Sequence, residues 1–326
     1  MTPTADARSP HGRVIHTGQA VVDLVLSIPA VPEPGGDVFA SSHRFLAGGG
    51  FNVMAAAARD GAEVVATSGH GTGPFGDIVR SAMEAEGIEV LAPQDRDLDT
   101  GFSIALVDES AERTFVSTRG AEAHLDPMLL HSARPLAGDV VYVSGYSMVH
   151  DANRDALVEW LPTLDPAVTV VVDPSPVIGT IGENALSVLI ARADVWSTNL
   201  REASVMAERC DIAGHDNATG DRRALALALA SQLHCDLVLR AGAEGSLLAR
   251  RDGTDSSLPA PRVEAVDTNG AGDAHTGVLC AQLAKGQGLE EAVARAGAAA
   301  ALAVTREGPA TAPMAGETDR FLARRK

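Results

Sequence analysis

Apolar positions along the chain fall into two textures. Short runs rich in Val, Ile and Leu at residues 14–28, 62–67, 140–143, 168–173, 194–197 and 237–240 read as strands. The first of these carries polar Gln19 and Asp23 within it. Longer stretches with helical spacing, many rich in alanine, lie at 52–59, 77–86, 153–161, 222–233, roughly 274–285 and 289–305. From Asp139 onward, strand and helix alternate. That rhythm predicts an α/β fold with a parallel sheet covered by helices on both faces. Two segments break it. After a turn at Pro29, Pro32, Pro34, Gly35 and Gly36, residues 37–46 suggest another strand. Residues 101–107 and 113–118, joined by a polar stretch at 108–112, predict a hairpin outside the main sheet.

Composition narrows the function classes. Of 326 residues, 45% are hydrophobic and 21% charged, enough apolar material for one large α/β domain with an addition, or for two domains. The charge sum is 26 − 43 = −17. A surface that acidic repels phosphate backbones and anionic headgroups, so neither nucleic acid nor membrane is an expected partner. An anionic ligand must then be held by local donors. Lys285 and Lys326 are the only lysines, and neither stands in a Walker A or protein-kinase context. Cys210, Cys235 and Cys280 are widely spaced and odd in number, which predicts free thiols and a cytoplasmic setting. Residues 1–11 read as a polar tail without the apolar core of a signal peptide, and no apolar run is long enough to span a membrane.

Candidate chemistry gathers in glycine-bearing loops after strands, where open α/β sheets bind ligands. Asp267-Thr268-Asn269-Gly270-Ala271-Gly272-Asp273 precedes a helix. Its small residues offer backbone N–H groups to an anion, and Asp273 at the helix N-terminus is placed to accept a proton from a substrate hydroxyl. A glycine turn with an aspartate cap would use the same residues. Gly48-Gly49-Gly50-Phe51-Asn52 is either a backbone bed for a polyol or a turn with an Asn cap. Asn199 and Glu202 sit three apart at a helix start, suited to a hydrated Mg²⁺ or to plain capping. Arg240 to Gly245 is either a floor beneath a nucleotide or a simple turn. Gly71, Gly73 and Gly76 spell a dinucleotide fingerprint, with Asp95 or Asp97 as the ribose acid, but Pro74 removes a donor from that loop. His275 reads as structural.

In this order along the chain, the glycine loop with Asn52, the Asn199–Glu202 pair and the Asp267–Asp273 segment resemble the PfkB/ribokinase family of carbohydrate and nucleoside kinases. The likeness runs from about Val14 to about Leu322, and residues 296–308 look like the ribokinase C-terminal segment. The resemblance implies a ribokinase-like three-layer α/β/α domain over 12–326, with a small β lid built from about 35–46 and 99–118. It implies an ATP-dependent sugar kinase, and a homodimer through the lid. Asp273 is then the base, with Gly270, Ala271 and Gly272 as the anion hole. Asp23, Gly48, Gly49, Gly50, Asn52 and Tyr146 would line the sugar side. Asn199, Arg240, Gly242, Gly245, Gly297 and Ala298 would line the ATP side, with Glu202 reaching Mg²⁺ through water. Asp267, Asn269, Ala303, Arg306 and Gly308 resemble a loop pair enclosing a monovalent cation, K⁺. The chain departs from ribokinase at Val21 and Tyr146, where polar contacts to ribose are lost, and at Ala312, where a Ser stands near the cation loop. A nucleoside kinase, a non-catalytic sugar or nucleotide sensor and an NAD oxidoreductase remain as alternatives. Phe51 and Tyr146 would stack a base in the first of these.

Overall fold

A computed structural model of the chain describes residues 11–110, 112–212 and 221–324. The expected N-terminal tail, apart from His11, and Lys326 lie outside the described residues. Nine strands form the main sheet. Their order is Asp255–Leu258, Ser246–Ala249, Asp236–Arg240, Val195–Asn199, Thr169–Asp173, Val140–Ser144, Val14–His16, Val64–Ala66 and Glu89–Val90. The sheet is parallel except where the two strands at the 255–258 edge turn antiparallel.

The unbroken apolar runs follow from this layout, because a parallel sheet is buried on both faces. Along one strand, Val141 and Val143 pack into one core with helices Asp151–Trp160, Glu183–Arg192, Leu200–Arg209 and Arg222–Leu233. Val140 and Tyr142 point the other way, into a core shared with helices Gly50–Arg59, Pro74–Ala85, Ala271–Ala284 and Leu289–Ala303. The α/β/α sandwich expected from the alternating pattern is present. No helix among the described residues is long and apolar enough to cross a membrane.

A separate four-stranded sheet runs Ser42–Gly49, Ala20–Ser27, Phe102–Val107, Arg113–Ser117. The hairpin expected outside the main sheet forms its 102–107 and 113–117 strands. The run at 14–28 is not one strand. It breaks at Thr17-Gly18-Gln19, and its halves join different sheets. Gly18 permits the break: a Cβ there would sit 2.8 Å from His16 Cε1. Likewise, the strand expected at 37–46 starts at Ser42 and extends through Gly48 and Gly49. Strand partners share a face, so Asp23, Arg44 and Arg113 all project from one side of this sheet.

Helices Gly50–Arg59 and Ala271–Ala284 cross closely, and Gly277 is the reason. A Cβ at 277 would lie 2.3 Å from Val53 O and 2.7 Å from Ala56 Cβ. This crossing holds Asn52 of one helix against Asp273 of the other. Gly277→Val is therefore expected to destabilise the fold by about 1–3 kcal/mol through overpacking. A urea titration measures the loss.

Candidate active site

Helix Ala271–Ala284 begins at Gly270, whose φ of 73° lies in the left-handed region. Glycine is needed there twice over, since a Cβ would also fall 1.9 Å from Pro309 O. The first N–H groups of a helix have no partner within it. The Ala271 N–H donates to Thr268 O at 3.3 Å and the Ala274 N–H to Gly270 O at 2.8 Å. Between them, the Gly272 and Asp273 amides have no partner inside the helix. Asp273 Oδ2 accepts from Asn52 Nδ2 at 2.9 Å. Burial pushes the Asp273 carboxyl up to about 6, with help from Asp173 and against the pull of Asn52 and Arg240. A carboxylate poised near neutrality beside bare amides is the arrangement that accepts a proton while an adjacent anion is stabilised. Asn52 Oδ1 is buried without a hydrogen-bond partner.

The smaller sheet brings Asp23 to the same cleft. Gly48 exists in its present form because of Asp23: a Cβ at 48 would meet Asp23 Oδ2 at 2.0 Å. Gly49 has φ 60°, and the Gly50 N–H donates to Gln19 O at 2.6 Å, which folds the glycine loop over residues 19–23. Burial, with the nearby charge of Asp273, raises Asp23 to about 6. Tyr146 lies on the short turn Gly145–Val149 and is 46% exposed. Burial raises its phenol, followed by the charges of Asp273, Glu202, Asp173 and Asp23.

On the other side, Asn199 and Glu202 form a reciprocal capping box, the plainer of the two expectations for that pair. Glu202 Oε2 accepts from the Asn199 N–H at 2.9 Å and Thr198 Oγ1 at 3.2 Å, while Oε1 accepts from Asn199 Nδ2 at 2.7 Å. Arg240 Nη2 lies 3.5 Å from Glu202 Oε2. Arg240 Nη1 donates to Asp173 Oδ2 at 2.8 Å, Thr276 Oγ1 at 2.6 Å and Gly272 O at 3.3 Å. Sequence reasoning missed Asp173 and Thr276. An acid closing a parallel strand, as Asp173 does, was the available signal. Gly242 and Gly245 both take positive φ in the turn after the 236–240 strand. On helix Leu289–Ala303, Gly297 borders open space and Ala298 is fully buried.

No group of three or more His, Cys, Asp or Glu that could hold a metal by itself occurs among the described residues. Glu202 and Asp173 instead suit a hydrated Mg²⁺ carried in on phosphates, which needs only one or two protein carboxylates.

Two of the loops read above are engaged inside the protein. The residues read as a monovalent-cation site are bonded to one another and to Arg113. Asp267 Oδ1 already accepts from Arg113 Nη2 at 2.7 Å and the Asn269 N–H at 2.9 Å, and Oδ2 accepts from the Gly308 N–H at 3.1 Å. Ala303 O accepts from the Arg306 N–H and Thr311 Oγ1, each at 3.1 Å, and Gly308 O accepts from Thr311 Oγ1 at 3.3 Å. The Arg306 guanidinium pairs with Glu317. The dinucleotide fingerprint is likewise spent internally. The Phe75 and Gly76 N–H groups at that helix N-terminus donate to Asp99 at 3.1 and 2.8 Å, so a protein carboxylate occupies the place of a pyrophosphate.

Comparison with known proteins completes the identification. The family described as pfkB family carbohydrate kinase matches residues 13–315. An uncharacterized sugar kinase of Escherichia coli, YegV, is 31% identical over 92% of this chain and 91% of its own. Ribokinase from Thermotoga maritima superposes with a TM-score of 0.80 at 23% identity, covering 96% of this chain and 99% of its own. Aminoimidazole riboside kinase from Salmonella enterica, solved with aminoimidazole riboside and an ATP analogue, gives a TM-score of 0.75 at 26% identity over 95% and 100% of the two chains. Matched almost end to end in sequence and in fold, the chain belongs to the pfkB family of carbohydrate kinases and is an ATP-dependent sugar kinase.

Proposed function

We propose that Asp273 is the base that activates a hydroxyl of a small sugar or sugar derivative for attack on the γ-phosphorus of ATP. As the new O–P bond forms, the hydroxyl proton passes to Asp273, the bond from γ-phosphorus to the β–γ bridging oxygen breaks, and ADP leaves. Charge on the moving phosphoryl falls to the amides of Gly272 and Asp273, helped by Arg240. Phosphoryl transfer needs little more from a protein than positioning and charge stabilisation. The observation that carries this reading is Asp273 held by Asn52 at 2.9 Å beside the unpaired helix amides. The buried, unpartnered Asn52 Oδ1 is an acceptor for a second substrate hydroxyl. Asp23, across the cleft on the smaller sheet, grips further hydroxyls, and that sheet acts as a lid.

Mg²⁺ bound with ATP would neutralise the phosphates, and Glu202 and Asp173 are the carboxylates that would hold its waters. Chelation is expected to abolish turnover and added Mg²⁺ to restore it, read as ADP release. Ribose is disfavoured, because apolar Val21 and the neutral phenol of Tyr146 replace polar groups that resemblance to ribokinase would place there, and such mismatches discriminate strongly. Exposed Tyr146 supports a second reading, a nucleoside whose base stacks on the ring. We assign the enzyme to the cytoplasm, where ATP and its unpaired thiols Cys210, Cys235 and Cys280 are compatible. A homodimer through the lid would cover Phe45 and Val116, which share one face of that sheet and are 46% and 56% exposed. Native mass spectrometry tests it.

ATP consumption screened over sugars and nucleosides with Mg²⁺ tests the substrate reading. Turnover of a sugar is the expected result. Preference for a nucleoside selects the second reading, and binding without any turnover indicates a sensor.

A further inference from the structure

Nothing in the mechanism above uses Arg113, yet its side chain reaches a loop that leads into the anion hole. It reaches from the lid sheet to Asp267, Nη2 to Oδ1 at 2.7 Å, with side chains 31% and 14% exposed. The same carboxylate receives the N–H groups of Asn269 and Gly308, and so ties the loop entering Gly270 to the loop leaving helix Leu289–Ala303. From the same face of the lid, Arg44 pairs with Glu307, beside Gly308. That second pair is exposed and worth little alone, but it fixes the same two bodies together. An ionised Asp267 so close to the amides that receive a phosphoryl anion would repel it unless its charge were balanced. Arg113 supplies the balance. Burial pushes the Asp267 carboxyl up, but the two N–H groups and the guanidinium outweigh it and hold the group ionised, below the usual range.

We infer that Arg113 is a positioning residue acting through Asp267: a tethered cation that braces lid and anion hole and takes the place of an exchangeable monovalent cation. Its planar fork pairs with a carboxylate in a way a free ion would not. The smaller sheet and the anion-hole loops are thereby tied into one unit. The inference rests on the kinase reading for its activity test only.

The experiment compares wild type, Arg113→Ala and Arg113→Lys in potassium chloride and in tetramethylammonium chloride at equal ionic strength. Thermal melts are run without ATP or sugar. The wild type and Arg113→Lys should melt alike in both salts, whereas Arg113→Ala should melt lower in tetramethylammonium and be raised by K⁺. In kinase assays, Arg113→Ala should lose about tenfold in kcat without K⁺ and recover with it, less than the roughly hundredfold or more for a direct anion-hole donor because Arg113 acts through Asp267. Stabilisation or activation of the wild type by K⁺ overturns the inference. So does an Arg113→Ala protein that is destabilised or slowed yet indifferent to K⁺, since the ion pair would then be only a strut. If no substrate is ever found, the kinase reading fails while the melts still decide the role of Arg113.

Discussion

Asp273→Asn is expected to lower kcat by at least about a hundredfold while ATP binds as before, the usual toll of removing a general base. The substitution keeps size and shape, and an Asn at 273 still bonds to Asn52, so the helix start and its amides stay in place. In the proposed mechanism ATP is held by those amides and by the 240–245 loop, which the substitution leaves in place. Calorimetric titration with ATP separates lost chemistry from lost binding. The same variant should be at least as stable as the parent at neutral pH. Burial raises the folded-state carboxyl from 3.8 to about 6, so ionising it is harder in the folded chain than in the unfolded one. Above pH 6 both states are ionised and the folded state bears that cost, on the order of 1–3 kcal/mol. As pH falls from about 6 towards 4, the folded chain takes up the proton first and the cost disappears. Asn removes the charge altogether, so its melting temperature should equal or exceed the wild type's at pH 7 and lose that margin near pH 4. Stability and activity are opposed at this residue.

Arg240→Ala is expected to cost about 3–5 kcal/mol, the range for breaking one side of a buried ion pair. Arg240 and Asp173 are 12% and 10% exposed, and Glu202 5%. Without the guanidinium, Asp173 and Glu202 face each other unbalanced. Burial and Asp173 already push the Glu202 carboxyl up against the restraint of Arg240. Removing that restraint should push the Glu202 carboxyl further up and weaken the charge that suits Mg²⁺. A urea titration measures the destabilisation. In an Asp173→Asn background the penalty should shrink, because one of the two orphaned charges is gone.

The reach of the sequence can be judged residue by residue. Asp273 stood out because a local pattern, small residues and then an acid at a helix start, carries its own physical meaning. The alternation after Asp139 did the same for the main sheet, since each strand must bury both faces. The 14–28 segment misled because its two halves are equally apolar, and Gly18 alone does not reveal a change of sheet. The Asn199–Glu202 pair shows the limit of spacing: the structure uses it as a capping box, a role that leaves its carboxylate at the cleft. Contacts across long stretches of chain were the hardest to see. Arg113 and Asp267 lie 154 residues apart, and Arg240 and Asp173 67 apart. No local pattern announces such pairings; only the packing of lid, sheet and helices creates them.

The most direct measurement is the pH dependence of kcat/KM for the wild type and Asp273→Asn over the acid range. An acid limb with a midpoint near 6 in the wild type, absent from the residual rate of Asp273→Asn, is the expected result. The same limb persisting unchanged in the variant would assign the proton to another group and contradict the role of Asp273 as base.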